Sequence, residues 1–218
     1  MSGAMTQEES EKWESFCREV GRFLMMFTRV EAHLITTARI LTNAPPQFIR
    51  DLSGSWRVDV ATKSIRNLLD TIQLPADLKN DLTKALEQLS GINSFRNGLL
   101  HSPTSRVPDA QLAAFLGKPP EYNFGGDYVA ANLLHARVDG NIRVFPLSEV
   151  ILRGVHDDLI LILKYLHSCE NRILDMRFPA ERPVPPNAQA ELEALRSKTW
   201  SWKAPQQGWK FAKMPLPA

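Results

Sequence analysis

Apolar residues set the first division of the chain. Trp13, Phe16, Val20, Phe23, Phe27, Val30, Leu34, Ala38 and Leu41 recur at three- and four-residue steps, which predicts one long amphipathic helix over 8–42. Asn43-Ala44-Pro45-Pro46 ends it, because proline cannot continue a helix and disfavours helical geometry in the residue before it. Residues 47–54 read as a loop or short turn. Val58, Ala61, Ile65, Leu68 and Ile72 predict a second helix over 55–72, broken at Leu74-Pro75. A third starts at 75 or 76, where proline suits a first turn. It carries Leu78, Leu82, Ala85, Leu86, Leu89, Ile92, Arg96 and Leu99 on one face. Gly98 weakens its end and Pro103 stops it. A fourth helix is expected over 147–176, with Ser148 as N-cap, Glu149 in the first turn, and Ile151, Val155, Leu159, Ile162, Leu163, Leu166 and Ile173 as its stripe. A short helix is expected over 187–197.

Between the third and fourth long helices the period changes. Residues 102–147 open with loop-forming residues (Ser102-Pro103-Thr104, Gly117-Lys118-Pro119-Pro120, Gly125-Gly126-Asp127). They then read as a β-hairpin with arms 132–138 and 141–145, because Asp139-Gly140 suits the positive φ of a tight hairpin turn. A lone hairpin is marginal in water, so it must lean on helices or on a second subunit. The expected fold is mostly α, a four- to five-helix bundle with a small β-hairpin insertion. The helical domain covers 8–177. The remainder, 178–218, is a proline-rich linker (Phe178 to Pro186) and a tail.

Composition bounds the rest. With 218 residues, 44% of them hydrophobic, the chain can bury a core of its own. A formal charge of +2 is too small to mark a free-standing binder held by phosphate contacts. Cys17 and Cys169 are far apart and do not form a metal-ligand spacing, which fits reduced thiols in a cytosolic protein. The acidic opening Gln7-Glu8-Glu9-Ser10-Glu11 predicts no signal peptide and a cytoplasmic location. No apolar run approaches the roughly 20 residues that span a bilayer, so no membrane association is expected.

Candidate chemistry rests on a few residues. No phosphate-binding glycine loop, nucleophile elbow or His-Glu-x-x-His occurs. His33, His101, His135, His156 and His167 do not cluster with acids at metal-site spacings. His156-Asp157-Asp158 comes nearest, and it reads as the solvated side of the fourth helix. No metal and no cofactor are therefore expected. Glu31 falls on the apolar stripe of the first helix and Arg96 on that of the third. A charge there needs a partner or a task. Either the two pair, or Glu31 snorkels outward from the stripe edge. The tail interleaves Lys198, Trp200, Trp202, Lys203, Trp209 and Lys210 without an acid. Such residues bind single-stranded nucleic acid by stacking and phosphate contacts. Alternatively, the tryptophans pack the tail onto its own domain or a partner subunit.

The segment Arg96-Asn97-Gly98-Leu99-Leu100-His101 closes the third helix as Arg-x4-His, with a polar residue directly after the arginine. In this it resembles the HEPN superfamily, helical bundles marked by Arg-x(4–6)-His. The resemblance covers about 8–177 and leaves out the hairpin insertion and the tail. It implies a homodimer whose motifs meet across a cleft, RNA as substrate, and a toxin–antitoxin, CRISPR or phage-defence setting with an antitoxin or defence protein as partner. By it, Arg96, Asn97 and His101 are the catalytic candidates of a metal-independent endoribonuclease. Many HEPN-like domains instead bind or dimerise without cutting, so a non-catalytic module stays open. Some members carry a tyrosine two residues after the histidine that a partner nucleotidyltransferase modifies. Pro103 stands there in this chain, and that inactivation is not expected.

The residue types suit the chemistry. Cleavage without metal needs a proton-transfer group that works near neutral pH and a fixed cation for charge building on phosphate, which His and Arg supply. A five-residue step turns roughly 140° around a helix. Arg96 and His101 therefore share a site only if the helix unwinds at Gly98 or if a second protomer completes it.

Overall fold

A computed structural model describes residues 7–53, 56–101, 104–106, 132–138, 141–178 and 188–202, with single positions 113 and 119. These residues are mostly helical. The helices are α1 (Gln7–Thr42), α2 (Pro46–Ser53), α3 (Val58–Thr71), α4 (Ala76–His101), α5 (Glu149–Arg177) and α6 (Ala188–Arg196). Strands β1 (Thr104–Arg106), β2 (Asn132–Val138) and β3 (Asn141–Leu147) pair antiparallel in that order, with Thr104 opposite Leu134 and Val138 opposite Asn141. Residues 102–103, 107–112, 114–118, 120–131, 139–140 and 179–187 lie outside the described residues, and with them the expected Asp139-Gly140 turn and the expected proline-rich linker after Phe178.

Local chemistry explains the helix ends. Asn43 has φ of 54°, the left-handed conformation that asparagine tolerates, and it ends α1. The segment expected as a loop after it is instead helix α2, with Pro46 at the first helical position, where its missing N–H costs nothing. Ser148 Oγ accepts a hydrogen bond from Ile151 N at 3.2 Å and so caps α5.

The chain divides into two compact units. The first holds residues 1–24, 94–156 and 202–218. Its described core joins Leu147, Leu152 and Val155 to an aromatic group in which Phe95 meets Phe23 edge-on at 5.6 Å and lies 5.7 Å from the Trp202 ring. Phe95 is 1% exposed, whereas Arg96 is only half-buried. The stripe of α4 therefore runs through Phe95, and Arg96 stands at its edge rather than on its centre line. One expectation for α1 changes: Trp13, placed on its stripe, is exposed. Glu19 is buried, with Arg22 bonded to it at 3.0 Å and Arg153 in an ion pair with it at 3.6 Å.

The second unit holds residues 25–93 and 157–201. Val30, Leu34, Ala38, Ile65, Leu78, Leu82, Leu86, Leu89, Leu159, Ile162 and Leu166 form its apolar core. Polar contacts cross it at defined points. Arg177 at the end of α5 donates to the carbonyls of Ile40 and Leu41, two acceptors left open at the end of α1. Tyr165 donates its hydroxyl to Leu195 O at 2.8 Å, which fixes α6 on α5. Arg196 of α6 reaches Asp81 Oδ2 at 2.7 Å and Asp77 Oδ2 at 2.9 Å, and Arg172 meets Asp77 at 2.5 Å. Residues 188–201, within the expected linker and tail, belong to this unit.

Two variants separate the parts of the Asp77–Asp81 network. Arg196→Ala leaves Asp81, 2% exposed, without its guanidinium, and should cost about 3 kcal/mol in denaturant unfolding. Asp77 is different. Hydrogen bonds from Arg172 and then Arg196 lower its carboxyl to about 2, but the side chain is 40% exposed. The contribution of its charge is complete above the ordinary aspartate range and fades as pH falls through about 2. Asp77→Asn should therefore lose about 1 kcal/mol or less at neutral pH, and the deficit should vanish in strong acid. A deficit equal at pH 7 and pH 2 would refute this assignment.

Candidate functional site

Two places concentrate chemistry, one in each unit. In the first unit α4 runs unbroken through Gly98 to His101, its last residue. The unwinding that would bring Arg96 and His101 onto one face of a single chain does not occur. Arg96 is half-buried and donates from Nη1 to Asn97 Oδ1 at 3.0 Å. Asn97 and His101 are exposed. The guanidinium is thus held sideways by its neighbour, and the imidazole stands free at the helix end, about 140° around the axis. Glu31 is half-buried in the second unit. Its expected pairing with Arg96 is internal to neither unit.

The tail residues divide. Trp202 is 8% exposed against Phe95, and Trp200 is half-buried with its ring 5.8 Å from Tyr165. Both rings pack on their own chain rather than standing out as stacking platforms. Lys198 is exposed and lines a cavity of about 220 Å³ with Asp157, Asp158, Leu161, Lys164 and Ser201. Lys203, Trp209 and Lys210 lie outside the described residues.

The second unit holds a polar cluster that periodicity alone did not reveal. His33 Nε2 lies 3.0 Å from Glu170 Oε2, and Thr37 donates its hydroxyl to Glu170 Oε1 at 2.6 Å. His167, one turn before Glu170 on α5, brings its ring centroid to 6.5 Å from that of His33. The donor atoms of His33, His167 and Glu170 all lie within 4.8 Å of one another. Glu170 is buried, His33 half-buried and His167 exposed. The histidines do not cluster with acids at metal-site spacings along the sequence, and the fold brings His33 and His167 to Glu170 from distant positions. The available signal was local: His33 and Thr37 are four apart, and His167 and Glu170 three apart, so each pair shares a helix face. What the sequence lacked was the packing of one face on the other.

A correction concerns His156-Asp157-Asp158. Asp158 is not solvated: it is 1% exposed and accepts from Gln88 Nε2 at 2.8 Å and Ser201 N at 2.6 Å. It anchors the segment after α6.

No helix among the described residues is long and apolar enough to cross a membrane. No family model matches the chain, no curated protein matches it, and no solved structure matches it.

The cysteines offer no buried nucleophile. Burial first, and then the nearby Asp81 and Glu170 charges, push the Cys169 thiol well above its ordinary range, which suppresses the reactive thiolate. Cys17 is exposed. Titration of the native protein with a thiol-specific chromogenic disulfide should therefore modify Cys17 quickly and Cys169 only after denaturation. Two equally fast thiols in the native state would contradict the burial of Cys169.

Proposed function

We propose that the chain is a metal-independent endoribonuclease of HEPN type that acts as a homodimer. The observation that carries the reading is the end of α4: an exposed His101 closes the helix five residues after Arg96, whose guanidinium is oriented by Asn97 at 3.0 Å. The roles follow from residue type. His101 transfers a proton to or from the reacting oxygens. Arg96, steered by Asn97, stabilises the charge that builds on the scissile phosphate. The 2′-hydroxyl of the RNA attacks the adjacent phosphorus, the bond to the 5′-oxygen of the next nucleotide breaks, and that oxygen takes a proton. The products are a 2′,3′-cyclic phosphate and a 5′-hydroxyl.

Because α4 is continuous, one protomer presents its arginine and histidine on different sides of the helix. The proposed site is composite, with α4 ends from two chains facing one RNA strand. The segment 102–147, as a β-hairpin insertion after α4, would border such a site. The proposed setting is cytoplasmic, in a bacterial toxin–antitoxin or phage-defence system, with an antitoxin or defence protein as the regulating partner.

The test uses single-stranded RNA in the presence of EDTA. Wild type should yield fragments with cyclic phosphate ends. His101→Ala should slow cleavage by about 10²–10⁴-fold, and Arg96→Ala should do so comparably. Equal cleavage by all three proteins, or none by any, overturns the reading. Intact RNA together with a stable dimer would identify a non-catalytic binding or dimerisation module of the same architecture.

A further inference from the structure

We propose that His33, His167 and Glu170 form a binding site for a divalent first-row transition metal ion, with Zn²⁺ the best fit. The site uses none of the residues assigned to RNA cleavage and stands independently of that reading.

The donor set is two imidazoles and one carboxylate, which suits borderline ions such as Zn²⁺ rather than Mg²⁺ or Ca²⁺. The geometry is close to what such an ion needs. With ligand bonds of about 2.1 Å, donor atoms sit roughly 3.0 Å apart across a right angle and roughly 3.4 Å apart across a tetrahedral edge. His33 Nε2 and Glu170 Oε2 are already 3.0 Å apart, and the three donor atoms fit within 4.8 Å. Side-chain adjustment of His167, which is exposed, suffices to close the set.

The surroundings are also arranged for a ligand. Thr37, 0% exposed, donates to Glu170 Oε1 at 2.6 Å and so holds the carboxylate with Oε2 turned toward His33. This is the outer-shell support that orients ligating carboxylates. A hydrogen bond between His33 and Glu170 would by itself account for those two residues. It gives no reason for His167, whose ring faces the same pair from one turn away. The exposure of His167 leaves a path for the ion and room for a water ligand. Binding would cross-link α1 to α5 within the second unit.

The experiment uses the full chain, stripped of metal by EDTA dialysis. Co²⁺ is titrated as a spectroscopic probe, Zn²⁺ then competes for the same site, and thermal melting is followed with and without Zn²⁺. Expected are one equivalent of bound Co²⁺ with visible ligand-field absorption, its displacement by Zn²⁺, and a rise in Tm. His33→Ala and His167→Ala should abolish the absorption, and His156→Ala should leave it intact. Thr37→Val should weaken binding by about 10–100-fold. Because His167 is exposed, His167→Ala without metal should keep the wild-type circular dichroism, so that loss of binding is not loss of fold. No stoichiometric binding by wild type, or undiminished binding by His167→Ala, overturns the proposal.

Discussion

A carboxylate shut away from water has to be answered by a donor, and the second unit contains three such groups. Asp81, Asp158 and Glu170 are 2%, 1% and 3% exposed. An unanswered buried charge costs several kcal/mol, comparable with the whole stability of a small domain. Each donor comes from far along the chain: Arg196 for Asp81, Gln88 and the Ser201 amide for Asp158, Thr37 and His33 for Glu170. Apolar burial drives these helices together but is non-directional. Sliding α5 by a turn would keep most of the apolar contact but part Asp158 from Gln88 and Glu170 from Thr37 and His33, and sliding α4 would part Asp81 from Arg196. The polar pairs therefore select the register, and the apolar stripes supply the cohesion.

That division of labour explains what could be read from the sequence. A stripe repeats within one helix, so α1, α3, α4 and α5 were legible from spacing to within a few residues. The α2 segment was not, because eight residues are too few to show a period and the two prolines read as a stop rather than a start. At 92, 95, 96 and 99 the spacing fits two overlapping stripes. Spacing alone put Arg96 on the face, whereas in the fold the desolvation cost of a guanidinium leaves that place to Phe95. Asp158 goes the opposite way: its local sequence is polar, and partners distant in the chain, Gln88 and Ser201 among them, offset the cost of its burial.

The end of α4 shows how a continuous helix limits a single chain. Arg96 and His101 are fixed about 140° apart by helical geometry. A phosphate held against the Arg96 fork is thus not within easy reach of the same chain's imidazole. Asn97 accepts from the guanidinium at 3.0 Å and so draws it sideways, to the next position about 100° around the axis. In the proposed homodimer, helix ends related by a two-fold axis would let each arginine meet the other chain's histidine.

Helix α5 makes a comparable choice between neighbouring positions. Cys169 and Glu170 are adjacent, so their side chains leave the axis about 100° apart. Glu170 faces Thr37 and His33 on α1. Cys169 is buried elsewhere, where the Asp81 charge adds to desolvation in opposing its ionisation. A shift of one residue in the register of α5 would carry Cys169 to the place of Glu170 and give the cluster a soft sulfur donor in place of a hard oxygen. The observed register keeps the thiol out and leaves two nitrogens and one oxygen. That set discriminates against thiophilic ions, and it places the charged donor, Glu170, at the buried end of the cluster and the neutral donor, His167, at the end that meets solvent. A cation entering from solvent would thus meet an imidazole first and the compensating charge last, where the lower dielectric makes that charge count most.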